Sequence, residues 1–448
     1  MDNRYNIGVV YFDDAQDKIK MDLKNKQVVV VGLAKSGIAA LNLLKRQGAK
    51  ARATEINAKG SVACLAEKLL KTGFDVEIGK HTEDFLKGAD LVVTSPGVSD
   101  SALPIKWARQ NKVNVIDEIE LAYNFCKAPI IAITGTNGKS TTTSLIGHIL
   151  RENSINTSVC GNIGTPFSDE VSKLDKDSAC VLEVSSFQLS RIDKFRPKIA
   201  VFLNATQNHL DRHADFKEYF GAKMRIFENQ AKDDWAVLNR DDKNIANAIK
   251  DIKAGKLFFS LNSENIFDVN DLQIKGAHNI ENARAAALAA RVFGVPDKII
   301  ANAIKTFKGL EHRCEFVATV TGVKFINDSK STTVDAAIKA LSCCDGSIVL
   351  IAGGRDKNSD FAPLREHLKG KVKAVVLIGE ARQKIKNALT GAVDIKEADS
   401  MKDAVLLASS MAKKGESVLL SPMCTSFDMF EDFEHRGRVF KDIVKELR

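Results

Sequence analysis

The chain has no cysteine pair at Cys-x-x-Cys spacing: its eight cysteines are scattered, and only Cys343 and Cys344 are adjacent. That excludes the usual thiol clusters of metal and redox centres, and reduced thiols in a cytoplasmic protein are the simplest account. No uninterrupted apolar run reaches the ~18 residues that a membrane span needs. Met1 to Lys20 carries Asp13, Asp14 and Asp17 and no long apolar block, so no secretory signal is expected there. Aromatic residues are sparse, at 6%, and no basic tract runs through the chain. Both count against a dedicated nucleic-acid binder, which needs stacking platforms and a charged stripe. Low-complexity segments and short-period repeats are missing as well.

What is present is apolar patterning. Apolar residues make up 44% of 448 positions, and a soft prior of ~150 residues per domain gives about three domains. The formal net charge of +8 is modest for this size and suits small anionic substrates. Residues 1–20 read as an extension of unknown role, because Met21 to Gln27 leads straight into the apolar run Val28 to Val31. Over 21–127, strand-like runs alternate with helical periodicity. Val28 to Val31 is followed by the turn Gly32-Leu33-Ala34-Lys35-Ser36-Gly37 and a helix from Ile38 to Arg46. Ala51 to Thr54 ends near Glu55, and Leu91 to Val93 closes in Thr94-Ser95-Pro96-Gly97. This alternation predicts a parallel Rossmann-like sheet with ligands at the C-terminal ends of its strands. The glycine turn is a candidate pyrophosphate site, although Ala34 occupies the second glycine of a full G-x-G-x-x-G.

A second domain, 128–312, opens at Ala128-Pro129, and its Val181 to Leu189 reads as a strand carrying one acid, Glu183. A third, 313–448, places strands at Ser347 to Ala352, Ala374 to Ile378 and Ser417 to Leu420 between helical runs, which predicts a second Rossmann-like fold. The fold class is α/β in all three.

The second domain begins with Ile130-Ile131-Ala132-Ile133-Thr134-Gly135-Thr136-Asn137-Gly138-Lys139-Ser140-Thr141. An apolar strand ends in glycines whose N–H groups curl around anionic oxygens, and a helix start adds unpaired donors and partial positive charge. Lys139 neutralises outer phosphates, and Ser140 or Thr141 ligates the Mg2+ that travels with ATP. A standard P-loop has glycine where Ile133 stands, so this is a shortened variant.

Beyond that loop lie Gly161-Asn162-Ile163-Gly164, Glu183-Val184-Ser185-Ser186-Phe187-Gln188-Leu189 and Asn208-His209-Leu210-Asp211. Further on come His278-Asn279-Ile280-Glu281-Asn282, Glu311-His312-Arg313, Asn327-Asp328-Ser329-Lys330, and Ser421-Pro422 with Phe427-Asp428. In this order, from about Met21 to the C-terminus, the set resembles the Mur ligases, the ATP-dependent amide ligases of bacterial cell-wall synthesis. It is most similar to the branch that adds D-glutamate to UDP-N-acetylmuramoyl-L-alanine. The resemblance implies an acyl-phosphate mechanism, in which ATP phosphorylates a carboxylate and an amine then displaces phosphate. Such chemistry depends on holding two anions close together.

The resemblance also implies roles. Lys139, Glu183, His209 and Lys223 would be catalytic, and Mg2+ would take Ser140, Glu183, His209 and a Lys223 carbamylated by CO2. Carbamylation requires an unprotonated amine, so burial or a neighbouring metal must lower the lysine pKa. ATP would use Gly135 to Thr141 with Asn279, Asn282, Arg313 and Asp328. The UDP-sugar would meet Lys35, Ser36, Glu55, Ser95, Gly97 and Asn162. The family has Asp followed closely by Arg where this chain has Glu55 and Asn57, so the uracil contacts depart from the pattern. D-glutamate would meet Thr332, Lys330, Lys357, Ser426, Phe427 and Phe433. The partners expected are these small molecules alone, bound by a monomer that closes on them. Two other readings remain: a relative accepting a different amino acid, although the Asp-Asn-Pro-Arg motif of the diamino-acid branch is missing, and a nucleotide-binding switch.

Overall fold

The computed structural model describes residues 21–207, 212–263, 266–274, 276–341, 344 and 346–447. They form three sheets. The first holds β1 (Gln27–Val31), β2 (Lys50–Glu55), β3 (Asp75–Ile78), β4 (Leu91–Thr94) and β5 (Asn114–Asp117), all parallel, in the order β3-β2-β1-β4-β5. Val28 to Val31 are buried between helices on both faces, which is why they read as an unbroken valine run rather than an alternating one. The order reverses between β1 and β4, so the loops after these two strands diverge and leave a crevice at their C-terminal ends.

The second sheet holds β6 (Ile130–Thr134), β7 (Thr157–Gly161), β8 (Ala179–Glu183), β9 (Ile199–Phe202), β10 (Trp235–Asn239) and β11 (Gly255–Phe259). Its order is β11-β10-β9-β6-β8-β7, again all parallel. β6 lies between β8 and β9, so the ends of these three strands share one rim. The third sheet holds β12 (Glu315–Val320), β13 (Val323–Asn327), β14 (Ile348–Gly353), β15 (Val372–Ile378), β16 (Asp394–Glu397) and β17 (Ser417–Leu420), in the order β12-β13-β17-β14-β15-β16. Only β12 is antiparallel to its neighbour.

The α/β class, the three sheets and the positions of the long apolar strands match the expectation. Two details differ. The segment from Val181 to Leu189 is not one strand: β8 ends at Glu183, and Ser185 caps a short helix, Ser186–Leu189, through a reciprocal capping box with Gln188. The edge strands β3 and β16 escape a reading by apolar runs because charged and exposed residues occupy them.

By contact density the chain divides into two compact units. One is Met1–Leu272 with Ala277–Phe307, and the other is Gln273–Gly276 with Lys308–Arg448. Among the described residues no helix is long and apolar enough to cross a membrane.

Candidate active site

In the first unit the turn after β6 is held from outside before any ligand arrives. Gly135 (φ 151°) and Gly138 (φ 83°) adopt conformations that other residues rarely tolerate, and Gly138 precedes the helix Lys139–Glu152. Asn204, just past β9, accepts from Asn137 N through its side chain (2.8 Å) and donates to Asn137 O (3.1 Å). Its own carbonyl accepts from Thr136 N at 2.9 Å. Thr136 Oγ1 lies 3.0 Å from the Tyr219 hydroxyl. Lys139 is half-buried and folds back, Nζ donating to Gly135 O (2.9 Å) and Thr136 O (3.0 Å). Ser140 and Thr141 follow in the first helical turn.

The helix Ala277–Val292 packs along this helix and brings Asn282, buried, against the turn. Asn282 Nδ2 donates to Asn279 Oδ1 at 3.2 Å. A Cβ on Gly138 would overlap Asn282 Oδ1. Gly138→Ala is therefore expected to weaken ATP binding about tenfold or more, from backbone strain of ~1–2 kcal/mol plus displacement of Asn282. Titration calorimetry with ATP reads this directly, and an unchanged Kd would refute it.

Lys223 and Glu183 converge below the turn. Asp215 caps the helix Phe216–Met224, its side chain accepting from Glu218 N at 2.8 Å. Two turns on, Lys223 points inward on the same face as Tyr219, four residues earlier, and its Nζ stands 4.7 Å from the Tyr219 ring centroid. Only 2% of Lys223 is exposed. Nζ donates to Gly135 O at 2.9 Å, with Thr134 Oγ1 at 3.5 Å. Burial, helped by the nearby positive charge of Lys139 and opposed by Glu183, lowers this amine to about 6. It is neutral at pH 7, the state that carbamylation requires.

Glu183, at the end of β8, is buried; its Oε1 accepts from Asn162 Nδ2 at 2.8 Å, and Oε2 has no hydrogen-bond partner. Asn162 N also donates to Glu183 O at 2.9 Å, so Asn162 braces this acid as well as facing solvent. An orphaned buried carboxylate oxygen is a costly feature unless something cationic completes it. A hard divalent cation fits that donor, and Ser140 offers a hydroxyl in the first turn of the helix Lys139–Glu152. No group of three or more His, Cys, Asp or Glu able to hold a metal exists among the described residues. Such an ion therefore needs phosphate, hydroxyl or carbamate oxygens. His209 lies outside the described residues.

In the first sheet, Glu55 ends β2 with its carboxylate spanning two turns: Oε2 accepts from Leu33 N and Oε1 from Asn57 N, each at 2.9 Å. Lys35 is exposed and Ser36 half-buried at the start of the helix Lys35–Arg46. Ser95 is buried, its hydroxyl donating to Gly32 O at 3.1 Å, while Gly97 is exposed. Glu55, Lys35, Ser36, Ser95 and Gly97 thus do gather at the crevice between β1 and β4, with Ser95 as a brace of its floor. Arg212 was not singled out by sequence. Its guanidinium lies 4.7 Å from the Phe187 ring centroid, and it donates to Gly97 O (3.2 Å) and Pro96 O (3.4 Å).

In the second unit most candidates sit on loops after β13, β14 and β17, with Arg313 just before β12 and Phe433 at the start of the helix Phe433–Glu446. Arg313 is exposed. Asp328 is buried, with Oδ1 accepting from Cys314 N (3.1 Å) and Oδ2 from Ser421 Oγ (2.8 Å); burial pushes its carboxyl up from the ordinary value. Both oxygens are engaged inside the fold, because Asp328 ties the loop after β13 to the end of β17. Lys330 is half-buried with Nζ 5.5 Å from the Phe433 ring centroid. Thr332 is half-buried, Lys357 exposed and Ser426 buried, while Phe427 is 61% exposed. An aromatic ring so exposed is unused by the core. Sequence reasoning missed Asn204 and Arg436, which brace backbone, and Tyr219, whose hydroxyl braces Thr136 Oγ1. An Asn directly after an apolar strand was the one available signal for Asn204.

Three family models match the chain: "Mur ligase MurD-like, N-terminal domain" over residues 26–117, "Mur ligase middle domain" over 133–275 and "Mur ligase, glutamate ligase domain" over 312–424. A UDP-N-acetylmuramoylalanine–D-glutamate ligase of Thermoanaerobacter sp. (strain X514) is 44% identical over 453 residues, covering 96% of this chain and all of that one. A protein of the same name from Koribacter versatilis is 43% identical over 448 residues, covering 95% and 99%. Among solved structures, a UDP-N-acetylmuramate–alanine ligase of Thermotoga maritima matches with a TM-score of 0.61 at 18% identity, covering 94% of this chain and 100% of that one. The MurF ligase of Thermotoga maritima matches at 0.58 and 16% identity, covering 95% and 97%. At such identities these two show a shared fold.

Proposed function

The chain belongs to the Mur ligase family, and we propose that it joins D-glutamate to UDP-N-acetylmuramoyl-L-alanine at the expense of ATP. The substrate carboxylate attacks the γ-phosphorus of ATP, ADP leaves, and the acyl phosphate is then attacked by the amine of D-glutamate. Phosphate departs with the acyl C–O bond, and the amine loses its proton as the amide forms. UDP-sugar on 21–127, ATP on 128–312 and amino acid on 313–448 is the matching division of labour.

The observation that carries this reading is the buried Lys223–Glu183 arrangement beneath the glycine turn. A plain nucleotide switch needs no buried amine held neutral beside the phosphate loop. The turn's N–H groups and Lys139 bind and orient the phosphates, and Asn204 and Tyr219 keep the turn in shape. Asn162 aims Glu183. Bound Mg2+ would draw on Ser140, Glu183, His209 and carbamylated Lys223, and would supply charge neutralisation between the two reacting anions. The described cysteines are all free, which suits a reducing compartment.

The test is phosphate release from ATP, Mg2+ and UDP-N-acetylmuramoyl-L-alanine with D-glutamate, L-glutamate, lysine or diaminopimelate in turn. Release with D-glutamate alone is expected. Release only with another amino acid would keep the ligase chemistry and overturn the specificity.

A further inference from the structure

Arg436, on the helix Phe433–Glu446, has no exposed surface, yet its guanidinium bonds only to neutral groups among the described residues. Nε donates to Ser329 Oγ (2.9 Å), Nη2 to Ser329 O (2.8 Å) and Nη1 to Cys424 O (3.1 Å). The acid whose charge reaches it, Asp428, is engaged elsewhere: Oδ2 accepts from Glu380 N at 3.0 Å, and Oδ1 has no partner. Burial lowers Arg436 to about 10, so it stays charged at neutral pH. A buried cation without a bonded acid is a liability for stability alone.

Its partners explain what it does. Ser329 directly precedes Lys330 in the loop after β13, and Ser329 Oγ donates to Phe433 O at 2.8 Å. Cys424 lies in the loop after β17, two residues before Ser426 and three before Phe427. Gly354 opens the loop after β14 that carries Lys357, and a Cβ there would stand 3.2 Å from Arg436 Nη1. One planar fork therefore bonds the loops after β13 and β17 and lies beside the start of the loop after β14, and Ser329 links it to the helix start at Phe433.

We propose that Arg436 is the positioning residue of the amino-acid subsite, locking the loops after β13 and β17 in register and leaving beneath them an unneutralised positive charge that favours an amino acid with a second carboxylate. This rests on the D-glutamate reading above. The experiment uses the full chain as Arg436→Met, Arg436→Lys and Ser329→Ala, with each substrate varied in turn, D-glutamine as the uncharged analogue of D-glutamate, and thermal unfolding in parallel. Arg436→Met should raise KM for D-glutamate about 10²-fold, as expected for loss of positioning, and narrow the preference for D-glutamate over D-glutamine. Arg436→Lys, which keeps charge without the fork, should fall between it and the parent. Ser329→Ala should raise the same KM about tenfold, the scale of one hydrogen bond to a charged group. KM for the UDP-sugar should stay within about twofold, because its candidates lie in the first unit, away from these loops.

KM values rising together for all three substrates, or a falling Tm with unchanged kinetics, would reduce Arg436 to a structural role and overturn the proposal. Where the arginine variants fail to fold, Ser329→Ala decides: an unchanged amino-acid KM rejects it. Should the parent enzyme use a different amino acid, the specificity reading fails separately. The arginine is then judged on that substrate against its uncharged analogue, and an unaltered preference rejects it.

Discussion

Lys223→Met is expected to abolish ligation, by about 10³-fold or more, and at the same time to raise the protein's thermal stability. Both effects follow from one buried amine. Lys223 is neutral in the fold at pH 7 because burial lowers it to about 6, whereas in the unfolded chain it is protonated. Between about pH 6 and its ordinary value of 10.5 the unfolded chain therefore holds one more proton than the folded one. The fold is penalised across that window, and stability rises with pH as the penalty fades. At pH 7 the penalty for the unmodified amine is on the order of 5 kcal/mol, from ~1.4 kcal/mol per pH unit. Methionine fills the space without that cost, and Gly135 O keeps its bond from Lys139. The expected catalytic loss rests on the proposed carbamylation: only an amine can take up CO2, releasing a proton and leaving a carbamate anion. Calorimetry in CO2-free buffer from pH 7 to 9 should show the wild-type Tm rising relative to that of the variant. Wild-type activity should fall away below about pH 6 and depend on bicarbonate. A variant that keeps a tenth of the activity, or melts lower at pH 7, would defeat the account.

This duality explains why Lys223 could not be identified from the residues around it. Phe216 to Met224 is an ordinary capped helix, and a lysine in such a helix is usually solvated. Its burial arises from β6 and the glycine turn, far away in sequence, so the sequence pointed to it only through the resemblance of the whole motif set. The glycine turn was different. Gly135, Gly138, Lys139 and Ser140 lie together in the chain, and each has a local reason to be there, so strand, turn and helix were all legible before the structure. The valine run of β1 and the apolar strands β14, β15 and β17 were legible for the same reason: burial on both faces leaves one kind of residue.

Bracing residues were less legible. Asn204, Arg212 and Arg436 act by gripping backbone across the fold, and nothing in their own neighbourhoods marks them. Asp328 shows the converse. The resemblance assigned it to ATP, and in this structure Cys314 N and Ser421 Oγ also bond its carboxylate. An acid in a polar loop can be read as a ligand group or as a tie, and the positions of its donors show the tie.

Glu183→Gln separates a metal-seeking carboxylate from a structural one. The acid sits where β8 ends between β6 and β7, in register with Ile133 and Gly161, so its position is set by the sheet and not by its own charge. Asn162 holds Oε1, and Oε2 is left buried without a partner. Glutamine preserves the size of the side chain and keeps an oxygen for Asn162 while removing the charge that attracts a hard cation. Were Glu183 structural, the charge would be paired within the protein and its loss would destabilise by several kcal/mol. Its second oxygen has no such pair, so Tm is expected to hold or rise. Activity is expected to fall about 10²- to 10³-fold, the range for removing one preorganised electrostatic group. The Mg2+ concentration for half-maximal rate should rise, while ATP without Mg2+ should bind the variant as well as or better than the wild type, because a negative charge near the phosphates has gone. Calorimetric titration with ATP alone and with Mg·ATP reads the two effects separately. A variant that binds Mg·ATP and ATP in the wild-type ratio would place the cation elsewhere and leave Glu183 as a brace for Asn162.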